Sequence, residues 1–465
     1  MKKPLIAITG RPNVGKSTLF NRLVGEQPAI VEDVAGITRD RNYASASWEN
    51  HPVILVDTGG IVSEPTGDIP SEVRKQALLA VEEADLVLFV VNGQEPLTYT
   101  DRDILEVLRK SGKKTFLVVN KLDGPRHEEN LPEFLALGTG EPVMISALHG
   151  RGISELKELI LGCVPKVPED EGEDVPKVAV VGKPNAGKST LVNGLLGKDR
   201  LIVSKEAGTT RDSIDTVCRY HGRPYLLIDT AGLRKKSRID VSVEYFSMIR
   251  TIRSIDRSDV VLILVDASTG FTEQDQKITG MVHDAGKSAI ILLNKWDLTE
   301  KSDAHLRKLT SEIRNSAWFM AHIPILSVSA LTRQRITRVF PVIDQVLAEH
   351  RKRISTAALN SFVERIKHEA SPPLVGGRGV RILYMTQVRI APPGFAVFSN
   401  RPKGLTPAYM RFVERRLREE FGFEGTPVRL FIKPRNRQEG SAESGNKGTS
   451  KKSGRSAPHR LKGRG

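Results

Sequence analysis

Residues 10–18 read GRPNVGKST, and residues 182–190 read GKPNAGKST. Each stretch follows a short apolar run and precedes a helix-like one, the strand–loop–helix setting of a Walker A loop. Its glycines let backbone N–H groups turn toward phosphate, and the following helix N-terminus adds positive dipole. Gly10, Gly15, Lys16, Ser17 and Thr18 fill these positions first; Gly182, Gly187, Lys188, Ser189 and Thr190 fill them again. Lys16 and Lys188 are expected to reach the β- and γ-phosphates, and Ser17 and Ser189 to ligate Mg²⁺.

Four more motifs follow each loop in the same order. Thr38 and Thr210 stand 172 residues apart, as do Asp57 and Asp229. Asn120-Lys121-x-Asp123 matches Asn294-Lys295-x-Asp297 at an offset of 174, and Ser146-Ala147 matches Ser329-Ala330 at 183. Ordered recurrence with slowly drifting spacing marks a duplicated domain rather than a short-period solenoid. Within the first copy, PLIAIT, VILVDT, LVLFVV, FLVVNK and VMISA are strand-sized apolar runs separated by helix-like stretches. That alternation predicts α/β architecture: a doubly wound, mostly parallel sheet in each copy. Ligands of such sheets bind beyond the carboxyl ends of the strands, where all five motifs fall.

The motifs divide the chemistry. Asp57 and Asp229 end apolar strands and open Asp-Thr-Gly-Gly and Asp-Thr-Ala-Gly; their carboxylates suit the surroundings of Mg²⁺, and the N–H groups of Gly60 and Gly232 can meet a γ-phosphate. Thr38 and Thr210 can close over Mg²⁺ only while a γ-phosphate is present, an order–disorder switch. Asp123 and Asp297 can accept from N1–H and the 2-amino group of guanine, which adenine lacks, so the nucleotide is expected to be GTP rather than ATP. Asn120 and Asn294 can contact N7, the stems of Lys121 and Lys295 can cover the ring, and the backbone N–H groups of Ser146-Ala147 and Ser329-Ala330 can meet O6. After the second Ser-Ala-Leu the chain reads TRQRI where the first copy has HGRGI. Those N–H donors come earlier, so guanine binding is expected to survive.

Of 465 residues, 39% are hydrophobic, enough for ordinary cores, and no apolar run reaches membrane-span length. The N-terminal MKKPLIAITG leads straight into the loop and reads as a first strand, which predicts a cytoplasmic location with no membrane partner. Two cysteines cannot build a disulfide framework or a zinc site. The expected organisation is a first G domain over 1–164, an acidic, proline-rich linker over 165–176, a second G domain over 177–352, a third domain over 353–434 and a disordered basic tail over 435–465. The tail carries nine Lys/Arg against two Glu, about half of the net charge of +15. Such a balance suggests an acidic partner such as nucleic acid; a solubility tail is the alternative. In the third domain the pattern reads αββαβ, with a helix near 359–368, strands at 380–390 and 395–399, a helix at 407–421 and a strand at 427–432. After Asp229-Thr230 the second copy continues with a basic run, Arg234, Lys235, Lys236 and Arg238, where the first is neutral to acidic.

Each copy resembles a TRAFAC-class G domain. The tandem arrangement over about residues 1–435 resembles the Der (EngA) family of ribosome-assembly GTPases, within the TrmE-Era-EngA-like superfamily. The resemblance implies hydrolysis of GTP to GDP and phosphate by a monomer that binds the large ribosomal subunit and its rRNA in a GTP-dependent way, in ribosome biogenesis. It implies that the third domain is KH-like. KH domains hold RNA with a GxxG loop between two helices. The strings at 376–379 and 422–425 are not so placed, so the domain can instead pack on the second G domain, leaving Arg411, Arg415, Arg416 and Arg418 as a basic face. Ile61 and Leu233 stand where Ras-like enzymes have a water-orienting glutamine. That departure matches the hydrophobic-substituted GTPases, in which a phosphate-loop asparagine can hold K⁺. Asn13 and Asn185 occupy those positions, which implies K⁺ stimulation and a catalytic set of Lys16, Lys188, Asn13 and Asn185. Two alternatives stand beside this reading: a nucleotide sensor or scaffold in which one domain barely turns over, and a tRNA-modification partner, for which the sequence shows no methylene-donor or flavin site.

Overall fold

The computed structural model describes residues 3–25, 43–49, 51–58, 84–123, 131–137, 140–163, 175–197, 215–230, 243–300, 302–370 and 379–434. Within them the chain forms two similar α/β units and a smaller α+β unit.

The first unit contains β1 (Leu5–Thr9), α1 (Lys16–Val24), β2 (Tyr43–Trp48), β3 (His51–Asp57), β4 (Leu86–Asn92), α2 (Tyr99–Ser111), β5 (Thr115–Asn120), α3 (Leu131–Leu135), β6 (Val143–Met144) and α4 (Ile153–Cys163). Its sheet runs β2-β3-β1-β4-β5-β6, parallel except for the β2–β3 pair. Strands buried on both faces need apolar residues at every position, and LVLFVVN of β4 is buried throughout. Alternation then splits each strand between two layers. Ile6 and Ile8 pack with Leu19, Phe20 and Leu23 of α1 and Leu156 and Ile160 of α4. Leu5 and Ala7 face Ile104, Leu105 and Leu108 of α2.

The second unit repeats the plan with β7 (Lys177–Gly182), α5 (Lys188–Leu196), β8 (Thr216–Tyr220), β9 (Arg223–Leu227), α6 (Val243–Arg257), β10 (Val260–Asp266), α7 (Glu273–Asp284), β11 (Ser288–Asn294), α8 (Asp303–Ser316), β12 (Ile325–Ser327) and α9 (Val339–His350). Its order, β12-β11-β10-β7-β9-β8, is the same topology, and β8–β9 is again the antiparallel pair. The edge strands β2 and β8 are absent from the sequence expectation, which has the β3 run VILVDT. YASASW and TVCRY expose Ser45, Ser47 and Arg219 and lack the continuous apolar signal of the central strands. One apolar cluster runs from the first unit into the second. Across the same junction Lys3 pairs with Asp256 at 2.6 Å and Arg253 with Asp85 at 3.3 Å.

The third unit follows the expected αββαβ order: α10 (Thr356–Glu369), β13 (Ile382–Arg389), β14 (Gly394–Ser399), α11 (Pro407–Phe421) and β15 (Arg429–Pro434). β14 pairs antiparallel with β13 and parallel with β15. Phe362, Val363 and Ile366 of α10 and Val413 and Leu417 of α11 cover that sheet. The glycine string at 422–425 docks on the second unit. Gly425 N–H donates to His322 O and Ala289 N–H donates to Gly425 O, both at 2.8 Å. A Cβ on Gly425 would lie 2.4 Å from Val346, so only glycine fits this approach. His350 Nδ1 lies 2.6 Å from Thr426 Oγ1 in the same seam, and burial pushes this imidazole down to about 4, so it is neutral there. Of the expected basic face, Arg418 turns inward and donates to Phe423 O and Thr426 O, while Arg416 pairs with Glu369 and Glu419. Among the described residues no helix is long and apolar enough to cross a membrane.

Candidate nucleotide sites

Each α/β unit gathers its motifs at the carboxyl edge of its sheet. The loop after β1 turns at Gly10 (φ +150°) and enters α1 from Gly15 (φ +93°); the loop after β7 does the same at Gly182 (+151°) and Gly187 (+98°). A Cβ on Gly15 would sit 2.4 Å from Asn120 Nδ2, and one on Gly187 2.3 Å from Asn294 Nδ2. Asn13 and Asn185 are exposed and left-handed, at φ +65° and +61°. Thr18 and Thr190 stand exposed on the first turns of α1 and α5.

The loop lysines fold along their own loops. Lys16 Nζ donates to Arg11 O at 2.8 Å; Lys188 Nζ donates to Gly182 O and Lys183 O, both at 2.8 Å. Burial lowers both ammonium groups, Lys188 to about 8, whereas the neighbouring Asp57 carboxylate partly restores Lys16. Ser17 Oγ donates to Asp57 Oδ2 at 2.7 Å, bringing together a hydroxyl and a carboxylate of the kind that surround Mg²⁺ beside phosphates. Asp57 continues the β1–β3 ladder opposite Ile8. Asp229 departs from this plan: the β7–β9 ladder stops at Leu227, and Asp229 is left-handed at φ +57°.

The asparagines of the two Asn-Lys-x-Asp segments hold the site's loops together. Asn120 Nδ2 donates to Val14 O and Asn120 Oδ1 accepts from Ala147 N–H, both at 2.9 Å; Asn294 joins Ala186 O and Ala330 N–H at 2.8 and 2.9 Å. Asn120 and Asn294, expected at N7, thus also accept from the N–H groups of Ala147 and Ala330, which are expected at O6. Lys121 and Lys295 are left-handed, and Lys295 Nζ pairs with Asp266 at 2.6 Å. Ser146 Oγ donates to Asp123 Oδ1 at 2.6 Å, and the Ser329 hydroxyl accepts from Thr332 N–H. Asp297 Oδ1 is buried without a hydrogen-bond partner. A buried, unsatisfied carboxylate oxygen is costly and fits a site that receives donors such as guanine N1–H and its amino group.

A further frame went unread in the sequence. Thr98 and Asp101 form a capping box at the start of α2, Thr272 and Asp275 form one at the start of α7, and these acids also hold the loops: Arg11 reaches Asp101 and Lys183 reaches Asp275, both at 3.3 Å. The recurrence of Thr-x-x-Asp at the offset of 174 is the signal that could have found it. Thr38, Gly60, Thr210, Gly232, Ile61, Leu233 and the basic run at 234–238 lie outside the described residues, as do the linker segment 165–174 and the tail 435–465.

The family model described as 50S ribosome-binding GTPase matches residues 5–121 and again 177–295, and the KH-domain-like model of EngA bacterial GTPase enzymes matches 353–433. A GTPase Der from Geobacillus sp. (strain WCH70) is 45% identical over 438 residues, covering 94% of this chain and 100% of its own. Another, from Moorella thermoacetica (strain ATCC 39073 / JCM 9320), is 46% identical over 433 residues, covering 93% and 99%. Among solved structures, an Aquifex aeolicus Era variant bound to GDP and aluminium fluoride covers 56% of this chain and 93% of its own, at 24% identity and a TM-score of 0.30. Two matched G domains, a matched third domain and relatives aligned along almost their whole length together show that the chain belongs to the GTPase Der family of tandem G-domain GTPases.

Proposed function

We propose that both G domains bind and hydrolyse GTP with Mg²⁺, and that their nucleotide state times association with the large ribosomal subunit and its rRNA. The observation that carries the two-site reading is the double assembly of loop lysine, hydroxyl, acid and Asn-Lys-x-Asp segment, each at the edge of its own sheet. Lys16 and Lys188 bind the β- and γ-phosphates together with the loop N–H groups of Gly15 and Gly187. Ser17, Thr38 and Asp57 would hold one Mg²⁺, and Ser189, Thr210 and Asp229 the other. Held there, that ion would supply positive charge beside the phosphates. The Ser17–Asp57 contact supports this assignment, and the orphaned Asp297 oxygen supports guanine in the second site. Asp123 and Asp297 give specificity, because adenine would leave the carboxylate unpaired.

The attacking water has no glutamine to orient it, since Ile61 and Leu233 offer only hydrocarbon. Asn13 and Asn185 are therefore assigned to K⁺. Turnover in K⁺ should exceed turnover in Na⁺ at equal ionic strength, and equal rates would remove this assignment. The ribosomal reading draws on the net charge of +15 and on the 50S ribosome-binding description of the matched model. Sedimentation with large ribosomal subunits in GDP, GTP and a non-hydrolysable analogue tests it. Co-sedimentation with the analogue and not with GDP is expected; release in every state would overturn it.

A further inference from the structure

Among the described residues, the second site has an aspartate support for which the first copy carries no matching acid. Asp215 precedes β8, and its Oδ1 accepts from the backbone N–H of Asp229 at 3.0 Å. Its other oxygen pairs with Arg257, the last residue of α6. Both partners are mostly buried, at 18% and 23% side-chain exposure, so solvent screens the pair less than it would a surface pair. The neighbouring hydroxyls of Thr216 and Thr230 lie 2.6 Å apart.

In the first copy the position matching Asp215 is Tyr43, a β2 residue opposite Val56. The strands themselves give the match at the other end: Leu5 N–H donates to Asp85, and Lys177 N–H donates to Asp259, both at 2.9 Å. Counting back two residues from each acid sets Arg257 against Glu83. Both members of the pair are thus particular to the second copy, as is the left-handed backbone at Asp229. A left-handed aspartate is held against its own preference for φ below zero. The carboxylate–amide bond supplies that hold, and the guanidinium fixes the carboxylate that makes it.

We propose that Asp215 and Arg257 are positioning residues of the second site, which set Asp229 through its backbone for Mg²⁺ and nucleotide. Asp215 lies just after the segment that carries Thr210, Asp229 just before the one that carries Gly232, and Arg257 ends the helix that follows. The clasp therefore joins described residues that flank both segments in the chain. Arg257 also cancels the charge of Asp215, which would otherwise add a bare carboxylate near an anionic ligand. The inference rests on the reading of Asp229 as a residue that serves Mg²⁺.

The test uses the full chain with the first site silenced by Lys16→Ala. The affinity for a fluorescent GDP is measured with Mg²⁺ and with excess EDTA, so that the ratio reports the ion's contribution apart from turnover. Arg257→Ala should reduce this ratio about tenfold, in the range seen when the partners of metal-holding groups are removed. The EDTA affinity should stay within about twofold, since the loop and base contacts are untouched. Arg257→Lys, which keeps the charge, should recover most of the ratio, and Asp215→Asn, which keeps an acceptor but loses the ion pair, should fall between. In the reciprocal background, Lys188→Ala, the ratio of the first site should not move. An unchanged ratio at the second site, or equal losses at both sites, would overturn the proposal. Asp229→Asn separates the two levels: if it leaves the ratio unchanged, the Mg²⁺ reading of Asp229 fails and the clasp has nothing to position. Should Arg257→Ala not fold, Asp215→Asn and Arg257→Lys carry the same comparison.

Discussion

The two nucleotide sites share a frame and differ in what leans on it. Glycines with matching φ, an asparagine bonded to the same two loops and a threonine–aspartate capping box recur almost atom for atom. Around them the copies diverge. Asp57 lies in a strand ladder and faces Lys16, whereas Asp229 is left-handed and tied to Asp215. Asn92 in the first copy becomes Asp266 in the second, where it pairs with Lys295. Gly150 and Gly152 become Arg333 and Arg335, which keep left-handed φ near +60° without the glycine. What the duplication preserves is the geometry that holds loops in place; what it lets drift is the charge around them.

The largest effects should be alike at both sites. Gly15→Ala and Gly187→Ala each drive a Cβ into an asparagine amide at a φ that disfavours alanine. Each should cost its own site at least about hundredfold in labelled-GDP affinity, or about 2.7 kcal/mol, with the other site silenced. Loss at one site alone would break the equivalence of the frames. Asn120→Ala and Asn294→Ala come next. Each leaves a buried carbonyl and a buried N–H unpaired, at about 1–3 kcal/mol, so affinity should fall by about ten- to a hundredfold at the mutated site.

pH should separate the sites. The charged ammonium is the form that binds phosphate. Below pH 8 Lys188 already carries its proton; above pH 8 binding must take one up, so second-site affinity should fall by up to about tenfold per pH unit. Asp57 counteracts the burial of Lys16, so the decline at the first site should begin at higher pH. Titrating labelled-GDP affinity at each isolated site checks this, and coincident curves would erase the difference. The smallest effect concerns the drifted glycine: Arg333→Gly removes a left-handed side chain whose hydrogen bond among the described residues is a 3.3 Å contact to Gly197 O, and should stabilise the chain by about 0.5 kcal/mol in urea unfolding.

Much of this was legible in the sequence because central strands and loops announce themselves locally. The run LVLFVV is strand-length and rich in valine and phenylalanine, as a strand buried on both faces is, and glycine, lysine and serine at fixed spacing set the loop. The αββαβ order of the third domain was legible from amphipathic spacing for the same reason. Features that depend on distant pairs were not. The β2 sequence YASASW becomes a strand only against His51–Asp57. Arg11 meets Asp101, Asp215 meets Arg257 and Asn120 meets Ala147 across 90, 42 and 27 residues, and no local pattern marks those partners. The string at 422–425 reads as a helix stop, and its docking on His322 and Ala289 is set by the fold.

That docking divides the molecule's joints into two kinds. Peptide 425 is pinned on both sides by main-chain hydrogen bonds, and Arg429 adds a bond to His283 O at 2.6 Å. Between the first and second G domains, Lys3–Asp256 and Arg253–Asp85 are charged side-chain contacts that salt can weaken, and the Lys3 backbone N–H also donates to Asp256 at 3.1 Å. The third domain is thus riveted to the second G domain through its main chain, while the first joins it through a shared apolar cluster edged by charged contacts. A spectroscopic label on the third domain would then serve as a pointer fixed to the second nucleotide site, and rising ionic strength should weaken the charged edge of the first domain's junction while leaving the rivet and the apolar cluster in place.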